Sequence, residues 1–487
     1  MKNYEFNKKR FLLSMFLVVC VSVGLCAAAG KSVTKDPPPT LKLQVQCGVA
    51  FRDNAILQQK IKLPVWGTSL PGAKVTVSFD GQTKTTLAGK DGKWRVVLDP
   101  MDAVKLKSVN DCPAGKMMKI VCVKGGDKAV KEIKNLVLGD VWICAGQSNM
   151  AGRIKTNKTR HFPEDTVEKA SYPALRQLSS GNDQTWVVCS PETAPVFKKV
   201  AFFFGRRLQR DALVPVGLIA AAVGGSRIEP WLNQKPYEQG GHYTKLIQPI
   251  VGYGVRGVLW YQGESNERDR RLYQPKLQSL ITGWREVWKQ GDFPVYFVQL
   301  PGIGTSSLDN PAGGDGRAEI RQAYFETLAV KNTGMAVTID IGAKGEHPPN
   351  KYDTGVRLAR VALHNDYGFK NLAVCPLYKS HKIKGNTIRI SFDSAKNGLM
   401  VAKKEGFLPP KPTPDAKLQW LSIQAKDGTW HWADVQIDGS ELVVSCKDVK
   451  EPIAVRYAYT QHPCGNLLYN KDGLPASPFT TNGYDAR

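Results

Sequence analysis

Four short stretches of the chain end in side chains that can do acyl-transfer chemistry, and each follows an apolar run. Gly139–Arg153 (Gly-Asp-Val-Trp-Ile-Cys-Ala-Gly-Gln-Ser-Asn-Met-Ala-Gly-Arg) delivers Ser148 just past the run Val141–Ala145 and the turn-permitting Gly146. A hydroxyl placed there, ahead of a helix, faces backbone N–H groups and a helix dipole that favour developing negative charge. On Gly-Gln-Ser alone the plainer role of Ser148 is a helix N-cap. Val216–Val223 runs into Gly224-Gly225-Ser226, and Val255–Tyr261 into Gln262-Gly263-Glu264-Ser265-Asn266. Met335–Ile341 carries Asp340 and leads to Glu346 and His347. Attack on an ester carbonyl needs a nucleophile, a base and donors for the oxyanion. Ser148 suits the first role, and Gly224 or Gly225 can bring a backbone N–H close because neither has a side chain. Gln262 and Asn266 compete as the side-chain oxyanion donor.

The elements that must hold these residues follow from the patterning. Strand-like runs near 141, 216, 255, 295 and 335 alternate with amphipathic helices over Val200–Ala212, Tyr273–Lys289 and Glu319–Val330. Five strands with helical crossovers imply an α/β domain, residues 134–369, with a five-stranded parallel sheet covered on both faces. In such sheets ligands sit beyond the carboxyl ends of the strands, where all four stretches terminate. Residues 41–133 read as short alternating strands (Lys60–Trp66, Lys74–Phe79, Thr83–Leu87, Lys93–Leu98, Met117–Val123) with turn signals between them, an antiparallel β-sandwich. Its expected role is to pack on the α/β domain, ahead of binding carbohydrate. Strand patterns return in residues 370–487, a second β-rich domain.

At the start, Lys8, Lys9 and Arg10 precede an apolar stretch ending in Ala27-Ala28-Ala29, which reads as a secretory signal over residues 1–29 followed by an extended linker at 30–40. Export to the periplasm or beyond is the expectation. No later stretch is long and apolar enough to span a bilayer. The net charge is +24, of which Lys2, Lys8, Lys9 and Arg10 against Glu5 supply +3 and leave +21 after cleavage. The lysines are dispersed and no nucleic-acid-binding signature accompanies them, so a nucleic-acid partner is not expected. No Gly-x-Gly-x-x-Gly follows the first strand and no Walker loop occurs, so no nucleotide cofactor is indicated, and no metal is expected at the site. Removing Cys20 and Cys26 with the leader leaves eight cysteines of irregular spacing; Cys112 with Cys122 and Cys446 with Cys464 are conceivable pairs. The oligomeric state is not encoded in any pattern here.

Gly-Gln-Ser-Asn-Met (146–150), Gly-Gly-Ser-Arg-Ile-Glu-Pro-Trp (224–231), Trp-Tyr-Gln-Gly-Glu-Ser-Asn (260–266) and His-Pro-Pro-Asn-Lys (347–351), in that order, resemble the SGNH (GDS-type) hydrolase superfamily. More closely they resemble the sialate O-acetylesterase family of carbohydrate esterases, and the likeness runs from about Leu41 to Phe479. The resemblance implies a flavodoxin-like three-layer domain and an exported serine esterase that removes O-acetyl groups from sugars, sialic acids ahead of acetylated xylan, through an acetyl-enzyme. A catalytically silent glycan-binding protein is the rival of another class. The resemblance makes Ser148 nucleophile and oxyanion donor, His347 the base, and Gln262 the preferred side-chain donor. Where the superfamily has an Asp three residues before the His, this chain has Lys344, so Asp340, Glu346 or a backbone carbonyl is left to orient the imidazole. Gln147, Glu264 and Trp260 are expected around the substrate. Arg227, or Arg153, is placed to meet a sialic acid carboxylate unless it is taken by Glu229.

Overall fold

The computed structural model describes residues 42–154, 169–179, 184–236, 240–305 and 307–482; the expected leader and linker lie outside them. Its central sheet contains β1 (Asp127–Gly146), β2 (Tyr172–Ser179), β3 (Trp186–Cys189), β4 (Val216–Ala222), β5 (Gly257–Tyr261), β6 (Val295–Val298) and β7 (Thr333–Ala336). The spatial order is β3-β2-β4-β1-β5-β6-β7. The α/β class read from the patterning therefore stands, but six strands of this order run parallel rather than five, Ile56–Gln58 adds a short parallel pairing to Val137–Gly139, and β3 lies antiparallel on the edge. Of the two unforeseen strands, β3 is only four residues long and β2 hides behind polar letters. Arg176 and Gln177 on β2 look solvent-facing, yet each is only 1 % exposed. Both are satisfied internally: Arg176 donates to the carbonyls of Asn54 and Asn135, and the Gln177 side chain accepts from the Lys198 N–H.

Alternation along β1 and β5 puts Trp142 on one face of the sheet and Trp260 on the other. Helix α2 (Lys199–Ala212) covers the first face, Phe204 meeting Trp142 edge-on at 5.1 Å. Helix α5 (Lys351–Asp366) lies against α2, where Gly355 allows the approach: a Cβ there would stand 2.7 Å from the Val200 carbonyl. The opposite face is covered by α3 (Tyr273–Trp288), whose Trp284 meets Trp260, and α4 (Gly316–Thr327), whose Tyr324 meets Phe297.

β1 also leads into the site from the N-terminal sandwich. Its first half pairs antiparallel with Lys116–Lys124, and its second half lies between β4 and β5. A boundary drawn between residues 133 and 134 thus falls inside one continuous strand. The C-terminal strands pair among themselves, and none is paired with the sandwich among the described residues. They are tied to the central domain by buried polar groups. Fully buried Arg321 donates to the carbonyls of Leu300, Pro301, Thr460 and Gln461, and Gln299 donates to Ser477. No disulfide joins the described cysteines, so neither conceivable pair forms.

Candidate active site

Ser148 opens a four-residue helix, α1 (Ser148–Ala151), at the carboxyl end of β1. Gly146 makes that turn possible: its φ is +137°, and a Cβ there would stand 2.0 Å from the Tyr261 carbonyl. Gln147 occupies the cap position, so Ser148 is the first helical residue and not the N-cap. The Gly224-Gly225 turn lies against it, since a Cβ on Gly224 would be 3.8 Å from the Ser148 Cβ and would touch nothing else. Gly225 has a φ of +68° and open space around it.

Asn149 binds the remaining loops to this turn. Its Nδ2 donates to Glu264 Oε1 at 2.5 Å and to the Glu346 carbonyl at 3.0 Å. Lys351, at the start of α5, donates from Nζ to the Pro348 carbonyl at 2.6 Å and lies 5.8 Å from the Tyr261 ring centroid. The two carbonyls on either side of His347 are therefore each held by a side chain. Burial pushes the Lys351 ammonium down to about 7, partly opposed by the Glu264 charge. Glu264 Oε2 and Asn149 Oδ1 are buried without a partner. His347 itself is exposed, and among the described residues no carboxylate is hydrogen-bonded to its ring.

Several expected site residues have other work. Gln262 is fully buried and its Nε2 donates to Gln147 Oε1, the Ser226 carbonyl and Asn266 Oδ1, while its Oε1 accepts from Tyr273. Asn266, also fully buried, donates to Glu229 and Asp269 and accepts from the Ile228 N–H. Neither amide is presented to a ligand, so both brace the loops from below rather than supply the oxyanion donor. Gln147 accepts there too, underneath the site. Asp340 is excluded as the imidazole's partner because both of its oxygens are taken: Arg357 reaches them at 2.6 and 2.8 Å, and the Tyr469 hydroxyl adds a third bond. Glu346 is exposed and joins the site through its backbone carbonyl. Trp260 is a core residue, fully buried with its N–H on the Tyr273 hydroxyl, and cannot stack on a sugar.

Arg227 is likewise committed. It reaches Glu229 at 3.0 Å and both oxygens of Asp269 at 2.9 and 3.1 Å, so the ion pair replaces the expected substrate contact. Lys276 joins the same pair of acids at 2.6 and 2.7 Å. Burial alone would raise the Glu229 carboxyl, but the hydrogen bonds from Arg227 and Lys276 outweigh it and hold the pKa at about 2. Arg153 is exposed. The residues missed in the sequence are Asn149, Lys351, Asp269 and Lys276. Asn149 and Lys351 sit inside quoted motifs, next to Ser148 and four residues after His347, and position alone could have flagged them. The one described group able to hold a metal, His431, Cys446 and Asp448, belongs to the C-terminal β-domain and not to these loops.

The site places a serine on a glycine-hinged turn at the carboxyl edge of a parallel sheet, beside a glycine turn and a loop that carries a histidine, the arrangement that the sequence resemblance implies. Residues 138–362 match the family model described as carbohydrate esterase, sialic acid-specific acetylesterase, and the chain is a carboxylic ester hydrolase similar to that family. Human sialate O-acetylesterase is 26% identical over 511 aligned residues, covering 89% of this chain and 92% of that protein. The mouse sialate O-acetylesterase is 25% identical, with 89% and 94% covered. Among solved structures, a carbohydrate acetylesterase from Xanthomonas citri superposes with a TM-score of 0.77 at 29% identity, covering 90% of this chain and 100% of that one.

Proposed function

We propose that the chain removes O-acetyl groups from carbohydrates, sialic acids foremost, through an acetyl-enzyme on Ser148. His347 takes the hydroxyl proton as Oγ attacks the ester carbonyl, and returns it to the sugar oxygen as the acyl C–O bond breaks, releasing the sugar hydroxyl. The oxyanion is received by backbone N–H groups of Ser148 and the Gly224-Gly225 turn, with no side-chain amide among the donors. A water activated by His347 then releases acetate.

The observation that carries this reading is the Asn149 side chain, whose two hydrogen bonds join the Ser148, Glu264 and His347 loops at one sheet edge. The relatives' names support the substrate class, and the leader-like residues 1–29 support export. Acetate release is measured in parallel from O-acetylated sialic acid and acetylated xylan, with Ser148→Ala and His347→Ala. The expected result is release from the first substrate, abolished by Ser148→Ala and cut at least about a hundredfold by His347→Ala. A Ser148→Ala protein that still hydrolyses the ester refutes the assignment.

A further inference from the structure

The loops past β5 and β6 do more than surround Ser148. Part of them meets the C-terminal β-domain and encloses a second cleft, about 750 Å³ in volume, lined by Arg270, Asn310, Glu319, Thr429, Trp430 and Arg456 among others. Every residue that the central domain contributes to it follows the carboxyl end of a parallel strand, the same rim that carries Ser148. One element joins the two places. The 3₁₀ segment Glu264–Leu272 begins at the acid that holds Asn149 and reaches the cleft at Arg270. Arg270 stands six residues after Glu264, about 12 Å along the segment at ~2 Å of rise each.

The chemistry of the cleft is that of an acidic-sugar site. Arg270 is exposed, and among the described residues its guanidinium has no hydrogen-bond or ion-pair partner. Its backbone breaks the 3₁₀ segment at φ 52°, ψ −131°, a conformation glycine holds freely and an L-residue holds only under strain. Strain of this kind collects at binding sites, and nothing in the packing of the core requires an arginine there. Trp430 is half-buried in the lining, with the Arg456 guanidinium, also in the lining, over its ring at 4.3 Å from the centroid. Arg456 is itself fixed by the Ala312 carbonyl and the Tyr459 ring, so the aromatic wall is rigid. Glu319, the acid in the lining, is already paired with Arg271 at 3.0 Å and so does not neutralise Arg270. A planar guanidinium suits a carboxylate, and an indole face suits the C–H face of a pyranose.

We propose that this cleft is a distal subsite for a carboxylate-bearing sugar in the glycan whose O-acetyl group reaches Ser148, with Arg270 pairing the carboxylate and Trp430 packing on the ring. The proposal rests on the reading of the chain as a glycan esterase, and names the part of the substrate beyond the ester. Isothermal titration of the full chain with ligands that carry no acetyl group tests it without turnover: a sialylated trisaccharide, tri-galacturonate and lactose. Arg270→Gly removes the guanidinium while relieving the backbone, and Trp430→Ala removes the wall. At least one acidic ligand should bind, each substitution should weaken it at least about tenfold, and lactose should bind at least about tenfold more weakly. Which acid binds distinguishes a sialic acid from a uronic acid. No binding of either acid, equal binding of lactose, or unchanged affinity in Arg270→Gly overturns the proposal, and circular dichroism checks that each variant is folded. Acetate release by the wild-type chain is a separate readout, so an active esterase that fails these titrations refutes the subsite alone.

Discussion

Asn149→Ala is the substitution from which most can be learned. The side chain makes one bond to a carboxylate at 2.5 Å and one to a backbone carbonyl at 3.0 Å. A hydrogen bond to a charged group contributes about 1.5–3 kcal/mol and a neutral one about 1, so truncation should lower unfolding stability by about 2–4 kcal/mol. The upper end is favoured because Glu264 Oε2 already has no donor, and removing Asn149 leaves the whole carboxylate without one. The functional loss should be larger. Releasing the Glu346 carbonyl frees one side of the His347 loop, and a displacement of about 1 Å at a catalytic group can cut turnover about a hundredfold. Stopped-time acetate release would read kcat and KM on an aryl acetate, and urea unfolding would read stability. A fall in kcat with KM little changed is the expected signature of lost positioning. A kcat within about threefold of wild type would show that the loop does not depend on Asn149, and would refute the reasoning.

Asp340→Asn should unfold at lower urea, by about 3–5 kcal/mol for a buried ion pair broken on one side, because Arg357 is left uncompensated. Its activity in the folded protein at low temperature should remain close to wild type, and a selective loss of kcat would return Asp340 to the catalytic set. Glu229, held at about 2, has a folded pKa below its unfolded value, so its contribution is complete above pH ~4.5 and is lost as pH falls toward 2. Glu229→Gln should flatten the acid limb of the stability curve, read as urea midpoints from pH 6 to about 3. Lys351 is depressed to about 7, so between about 7 and 10.4 the unfolded chain binds a proton that the folded chain does not, and stability from this group rises with pH across that window. Lys351→Met should abolish that rise, while midpoints that climb equally in both proteins would remove Lys351 as its source.

Much of the framework was legible because buried parallel strands are nearly uniform in composition. Val141–Ala145 and Val258–Tyr261 could be read as strands from apolar letters alone, and they are buried throughout. β2 was not legible, because a buried arginine and glutamine satisfied by distant carbonyls look the same in a sequence as exposed ones. The site divides in the same way. Ser148 and its glycines follow from local turn chemistry, which neighbouring residues determine. The Arg227 pair with Glu229 was open to a local reading, but its second acid, Asp269, lies forty-two residues away in the chain, and whether Gln262 faces the substrate or the core depends on Tyr273 and Gln147. Those are choices of tertiary packing. Asp340 shows the same limit, since its partner Arg357 lies on α5 and only the fold brings the two together.

The account depends most on Ser148 being the group that attacks the ester. A fluorophosphonate that reacts covalently with activated serines tests this directly, with peptide mapping of the inactivated chain. The expected result is one adduct, on the peptide carrying Ser148, appearing in step with loss of acetate release and absent from His347→Ala on the same time scale. Complete inactivation with the adduct on any other residue would contradict it.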